Sequence, residues 1–390
     1  PMKEDTVIVT SGRSPEDHNG AVNVPVYRVS TITHPTVAEL ESATKAGNFS
    51  NRYGRVGTPT TEAFEAAVSA LEGGFNTVSM SSGLSALTSS LLAFLSTGDH
   101  VLITDSVYGP VRRFASSHLQ RLGIEVTFYD PLIGGDIASL IQDNTKIVFV
   151  EAPGSLTFDM QDIPAISAAA HAAGALVFMD NTWGTPVYCK PFDLGVDISI
   201  HACTKYICGH SDAMLGCATA ANEELYIQLK TFCVHQGVCA GTEELFLGLR
   251  GLRTISVRLE RHMKTGIELA SWLAARDEVD RVLHPALPDD PGHALWKRDF
   301  KGSCGLFGLI LKDVRKEAVD AMLDSLSLYG MGASWGGFES LILPTNPGAY
   351  RTASKWEAAG PSLRIHVGLE DIDDLKADLE QGFAALKANA

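Results

Sequence analysis

An α/β protein built on a mainly parallel sheet is what this chain of 390 residues predicts, on two observations. Short runs apolar on both faces recur along it, and helical stretches separate them. Strands covered by helices on each side lose the in-out alternation of a half-exposed sheet, and strand-helix alternation points to βαβ units. At this length one core does not suffice, so two or three structural units are expected.

In chain order, residues 1–60 mix strand-like "TVIVT" with Gly, Pro and Asn and end in the turn-rich, basic "NFSNRYGRVGTPT", an arm rather than a domain. Residues 61–253 carry the α/β pattern. "TPTTEAFEAAVSALEGG" opens on a threonine cap and closes on Gly73 and Gly74, which reads as a helix. Strands are expected at "TVSM" (77–80), "HVLITD" (100–105), "EVTFYD" (125–130), "TKIVFVEAP" (145–153), "ALVFMDN" (175–181) and "DISIHA" (197–202), with helices at 84–96 and 163–174 among them. After Arg253 the amphipathic "SVRLERHMKTGIELASWLAA" leads to a smaller unit, 254–390, containing 305–311, 323–328 and a helical tail at 371–387.

Apolar residues make up 45% and charged residues 20% of the chain, as in globular proteins, and no apolar run reaches the roughly 18 residues of a membrane span. A net charge of −15 opposes binding to a phosphate backbone, so no nucleic-acid partner is expected. "PMKEDTVIVTSGRS" has no basic segment followed by an apolar stretch, and the seven cysteines are odd in number and scattered in apolar surroundings. Both fit a cytoplasmic protein with reduced thiols.

Four features suggest chemistry. "SMSSGLSALTSS" places Ser81, Ser82 and Gly83 between a strand and a helix, where amides and the helix dipole suit an anion; a plain N-cap reads the same. Asp180 follows a very apolar strand in "VFMDNTW", where a carboxylate needs a cationic or hydrogen-bonding partner, or else caps a helix. Lys205 lies 25 positions further on, in "SIHACTKYICGHSD", and burial there favours the neutral amine of a nucleophile and proton carrier. Arg364, in "PSLRIHVG", offers a planar fork for a carboxylate, or a structural ion pair. Together they suit a phosphate-bearing pyridine aldehyde acting on an amino acid, which is pyridoxal phosphate. Cys203, Cys208 and His210 are potential metal ligands, but their spacing matches no common zinc pattern and no metal is expected.

The motifs "SSG", "DNTW", "SIHACTKYICGHSD", "LRGLRT", "HPALP" and "SWGGFESL", in this order and spacing, resemble the pyridoxal-phosphate enzymes of transsulfuration, most closely their cystathionine β-lyase branch. The resemblance runs from "NGAVNVPVYRVST" to "GLEDIDDLKADLEQGF". It implies fold type I: a seven-stranded, mainly parallel sheet in a cofactor-binding domain (61–253), a smaller α+β domain (254–390), and an N-terminal arm (1–60) that contributes to a neighbouring subunit.

The same resemblance implies roles. Lys205 would hold the cofactor covalently and act as the base, Asp180 would keep the pyridine nitrogen protonated, and Tyr108 would stack on the ring and serve as a secondary proton donor. Ser82, Gly83, Leu84 and Thr204 would contact the phosphate, with Ser82 and Thr182 lesser contributors at the ring or phosphate edge. Tyr53 and Arg55 would reach the cofactor phosphate of a neighbouring subunit, Tyr53 also meeting substrate, in a homotetramer made of two dimers. Arg364, with the backbone at Ser334 and Trp335, would bind the substrate α-carboxylate. Trp335 tilts the implied reaction toward β-elimination, the cleavage of L-cystathionine to homocysteine, pyruvate and ammonia in methionine biosynthesis. A broader cysteine-S-conjugate or cysteine/cystine β-lyase, or a γ-lyase or γ-synthase, are the alternatives. Where that branch often has a second arginine to meet the distal carboxylate of cystathionine, this chain has Val56.

Overall fold

A computed structural model of the chain describes residues 2–45, 47–49 and 51–390. Its larger sheet has seven strands: β1 (Asn76–Met80), β2 (His100–Thr104), β3 (Glu125–Tyr129), β4 (Thr145–Glu151), β5 (Leu176–Asp180), β6 (Ile198–Ala202) and β7 (Gly216–Ala220). Their order is β1-β7-β6-β5-β4-β2-β3. The pairs from β6 across to β3 are parallel, and β7 alone runs against both its neighbours. The expected α/β fold with a mainly parallel seven-stranded sheet is therefore the fold observed.

Two apolar layers enclose this sheet. Phe64, Ala67 and Val68 of the helix Pro59–Glu72 share one layer with Val148, Val177 and Met179, while Leu87 and Leu91 of the helix Gly83–Phe94 share the other with Phe149, Phe178 and Ile200. Alternate residues of each strand thus enter opposite layers, which is why the runs read as continuously apolar. A second sheet is antiparallel, β8 (Val279–Leu283), β9 (Leu306–Leu311), β10 (Leu341–Thr345) and β11 (Ser362–His366), in the order β10-β11-β9-β8. It packs on the helices Ile255–Ala274, Lys316–Asp324 and Ile372–Ala388 through Leu269, Met322 and Phe383. Residues 323–328 are the end of the second of these helices and the turn after it.

Two local readings are corrected. "TVIVT" is not a strand but part of a helix, α1 (Glu4–Thr10), numbered ahead of α2 (Val37–Ala43), α3 (Pro59–Glu72) and α4 (Gly83–Phe94). Glu4 and Asp5 in its first turn suit the positive helix end, and Ile8 is buried with the α3 residues, so packing overrides the β preference of Val, Ile and Thr. The strand β7, "GCATA", escaped the reading because its small residues form no apolar run. At Gly216 smallness is required: a Cβ there would lie 2.1 Å from the Ser82 carbonyl oxygen. Among the described residues, no helix is long and apolar enough to cross a membrane.

Candidate active site

The carboxyl ends of β4, β5 and β6 open on a cavity of about 590 Å³, closed on its far side by the loop before β10 and by β11. Ser82, Gly83, Leu84, Tyr108, Asp180, Thr182, Thr204, Lys205, Ser334, Trp335 and Arg364 all line it. Of the expected site residues, Tyr53 and Arg55 alone lie elsewhere. Tyr53 is 43% exposed and bridges to Thr31, and Arg55 donates to the Val234 carbonyl at 2.8 Å with its guanidinium 5.6 Å from the Tyr53 ring.

Lys205 sits in the turn that leaves β6, and its Nζ donates to Ser334 Oγ at 2.6 Å, 5.2 Å from the centre of the Trp335 ring. Burial first, and then the Arg364 charge, bring the Lys205 amine down to about 8, against the pull of Asp180. The neutral amine is therefore accessible near neutral pH. Gly336, at φ +88°, presses on this lysine so closely that a Cβ there would stand 2.9 Å from the Lys205 Cα.

Asp180 ends β5 and caps no helix, since the next one follows Gly184; it accepts from the Thr182 amide at 3.0 Å and the Thr182 hydroxyl at 2.5 Å. Burial raises its pKa, while the Thr182 bonds, His201 and Lys205 oppose the rise. Thr182 Oγ1 also accepts from the Ala202 amide at 3.0 Å, which ties the acid to the strand that carries the lysine.

Ser82 proves to be both N-cap and cavity wall: its Oγ accepts from the Ser85 amide at 3.0 Å at the start of α4. Gly83 is needed because α4 meets β6 there, a Cβ falling 2.4 Å from the Ala202 Cβ. The first amides of a helix have no partner inside it, so those of Gly83 and Leu84 make the α4 start an anion site. Thr204 bonds back to Leu215, its Oγ1 accepting from the Leu215 amide at 3.1 Å.

Arg364 lies mid-strand in β11, and its Nη2 donates to the Ser334 carbonyl at 3.2 Å. Tyr108 precedes the helix Gly109–Phe114, and its hydroxyl is raised by burial and then by Asp180 and Glu151, so it stays a phenol at neutral pH. Cys203 and Cys208 are buried packing, Cys203 Sγ resting 3.3 Å from Cys217 Sγ. His210 is held to the Cys208 carbonyl at 2.7 Å.

Glu151 and Arg113 are among the cavity residues that escaped the sequence reading. Glu151 ends β4 beside Asp180, accepts from the Tyr108 amide at 2.7 Å, and is pushed well above the usual carboxylate range by burial and then by Asp180. The signal that marked Asp180, an acid directly after a very apolar strand, is present for Glu151 in "TKIVFVEAP". Arg113 lines the cavity from the exposed side of the helix after Tyr108. Its position in a helix gave no such signal.

A family model described as Cys/Met metabolism PLP-dependent enzyme matches residues 5–384. The chain belongs to this family. It is 44% identical to the cystathionine beta-lyase MetC of Escherichia coli strain K12, over 98% of this chain and 99% of the relative. It is 40% identical to the L-alanine/L-glutamate racemase of Wolbachia pipientis wMel, over 99% and 98%. Among solved structures, the cystathionine gamma synthase from Xanthomonas oryzae pv. oryzae superposes with a TM-score of 0.91 at 31% identity, covering 100% of each chain.

For a PLP-dependent enzyme of Cys/Met metabolism the cavity is chemically apt. Asp180 offers a buried carboxylate for a pyridine nitrogen, Lys205 a neutral amine for an aldehyde, the α4 start with Ser82 and Thr204 a cradle for a phosphate, and Tyr108 a ring face for stacking. Among the described residues, no group of three or more His, Cys, Asp or Glu side chains is placed to hold a metal ion.

Proposed function

We propose that this protein is a carbon–sulfur β-lyase that cleaves L-cystathionine to homocysteine, pyruvate and ammonia, a step of methionine biosynthesis. The observation that carries the reading is Lys205 Nζ on Ser334 Oγ at 2.6 Å, beneath Trp335 and beside Arg364, in a chain 44% identical to a cystathionine beta-lyase.

Arg364 takes the substrate α-carboxylate in its fork and so points the α-hydrogen toward Lys205. Pyridoxal phosphate, when bound, supplies the electron sink that lets that hydrogen leave as a proton. Asp180 keeps a proton on the pyridine nitrogen, and Lys205 as the free amine takes the α-proton. The ammonium of Lys205 then delivers that proton to the departing sulfur as the bond from the β-carbon to sulfur breaks; Tyr108, a phenol at this pH, is the secondary donor. Water converts the remaining three-carbon fragment to pyruvate and ammonia. Val56 is buried and offers no charge, and Arg113 at the cavity wall is a cation suited to the distal carboxylate of cystathionine.

Residues 61–253 form the cofactor domain in this reading and 254–390 the smaller one. The arm, 1–60, carries Tyr53 and Arg55 to the phosphate, and Tyr53 to the substrate, of a neighbouring subunit in a cytoplasmic homotetramer. Their distance from the cavity of their own chain supports that sharing.

The test is to incubate the pyridoxal-phosphate-loaded protein with L-cystathionine, L-cysteine and L-alanine in turn and to quantify pyruvate, 2-oxobutyrate, homocysteine and D-alanine. Pyruvate with homocysteine from cystathionine is the expected outcome. Dominant 2-oxobutyrate would make it a γ-lyase. D-alanine formed faster than pyruvate would favour racemisation, the activity named for the Wolbachia relative.

A further inference from the structure

One strand holds the turn over Lys205 at both ends. Arg364 and His366 lie two residues apart on β11, and hence on one face of it. Arg364 Nη2 reaches the Ser334 carbonyl at 3.2 Å, and His366 Nε2 receives the Gly336 amide at 3.1 Å. The other ring nitrogen, Nδ1, lies 3.1 Å from the Glu339 carbonyl.

These partners dictate the tautomer. A carbonyl oxygen only accepts, so Nδ1 carries the hydrogen; an amide only donates, so Nε2 presents its lone pair. The ring is therefore the neutral Nδ1–H form, 1% exposed, and burial holds its pKa well below the usual histidine value. It meets the Tyr206 ring at 5.9 Å and the His262 ring at 5.4 Å, and Tyr206 in turn packs on Trp335 at 5.8 Å. The titratable groups around His366 are His262 from the long helix, Tyr206 and Lys205 from the segment after β6, and Arg364 on its own strand.

The turn needs this hold. Ser334 sits at φ +100°, a conformation that a residue with a Cβ adopts only when its surroundings impose it. Its Oγ is the acceptor of the Lys205 amine, and Trp335, next in the chain, is the ring beside that amine.

We infer that His366 is a positioning residue for the base: by accepting from the Gly336 amide and donating to the Glu339 carbonyl it sets the Ser334–Gly336 turn, and through it the place of the Lys205 amine. It touches neither substrate nor cofactor. The inference rests on the lyase reading only for the choice of substrate.

The test compares His366→Phe, which keeps a ring and removes both hydrogen bonds, with His366→Gln, whose amide can accept and donate. In cofactor-free protein, competitive acetylation of Lys205 read by mass spectrometry across pH gives the pKa of its amine. His366→Phe is expected to raise it by about one unit as the turn loosens and water enters, and His366→Gln to leave it near the parent value. In loaded protein with L-cystathionine, kcat of His366→Phe is expected to fall about 100-fold at matched cofactor content, with His366→Gln recovering most of it. An unchanged Lys205 pKa in His366→Phe would overturn the inference, whatever the substrate proves to be. So would equal losses in the two variants that follow only a lowered Tm. If His366→Phe does not fold, the Gln variant decides: a shifted Lys205 pKa despite a restored amide overturns the proposal, and a parent-like value upholds it.

Discussion

Glu151 and Asp180 stand side by side at the carboxyl ends of β4 and β5, in register with each other, and both line the cavity. Two carboxylates so placed do not share an environment. Asp180 has two hydrogen bonds from Thr182 and the charges of His201 and Lys205, whereas Glu151 has one amide and the repulsion of Asp180. Surroundings that differ in this way hold the two protons with different strength. Burial raises both acids, Glu151 the further, so Glu151 keeps its proton to higher pH than Asp180 does.

That difference predicts unequal responses when each acid is replaced by its amide. Glu151→Gln keeps an oxygen for the Tyr108 amide and is expected to hold kcat within about 5-fold of the parent. Asp180→Asn, equally conservative in shape, is expected to lower kcat by about 100-fold or more with little change in Tm. Steady-state kinetics on the two variants checks this, and the reverse ranking would exchange the roles of the two acids.

Attachment of pyridoxal phosphate to Lys205 should depend on pH. The amine is lowered to about 8, so its neutral, nucleophilic fraction grows as pH rises and levels off above that value. The rate of covalent loading of cofactor-free protein, followed by absorbance, is expected to climb about tenfold per unit below pH 8 and flatten above it. An ordinary lysine would keep climbing to beyond pH 10.

Arg364→Lys retains the charge and loses the fork, together with the bond to the Ser334 carbonyl. A loss of about 2–3 kcal/mol of binding is expected, seen as roughly a 100-fold drop in kcat/KM with L-cystathionine. Equal efficiency in the lysine variant would show that no bidentate contact is made there.

The proposed sharing of sites between subunits is tested by a mixing experiment. Tyr53→Ala and Lys205→Ala proteins, each inactive, are expected to regain activity when their subunits are exchanged, because some sites then combine intact Tyr53 with intact Lys205. No recovery after exchange proven by native mass spectrometry would place Tyr53 in its own subunit's chemistry.

Much of the fold was legible because burial writes itself into residue type. Six of the strands in the larger sheet were expected, most of them buried on both faces, with the edge strand β3 half-exposed. β7 was not, because its small residues form no apolar run, and at Gly216 the Ser82 carbonyl leaves no room for a side chain. The helix α1 misled because five consecutive β-branched residues say nothing of the α3 surface on which Ile8 lies. In the site, Asp180 and Lys205 stood out as charges at the ends of apolar runs. Glu151 carried the same mark, and Arg113, an arginine in a helix, carried none.

Sequence alone determined which chemistry the chain carries, since an acid and an amine just beyond apolar strands, with an arginine set in an apolar strand, suit a pyridine aldehyde and a carboxylate, and parallel strands deliver their carboxyl ends to one side. Only the tertiary structure decided how those groups behave. Lys205 and Ser334 lie 129 residues apart, and nothing near either foretells that a turn held by Arg364 and His366 sets the amine on a serine hydroxyl. Nor does the chain locally reveal that Glu151 neighbours Asp180. Protonation depends on burial and on charges brought close by folding, and those are properties of the packed molecule rather than of any segment of it.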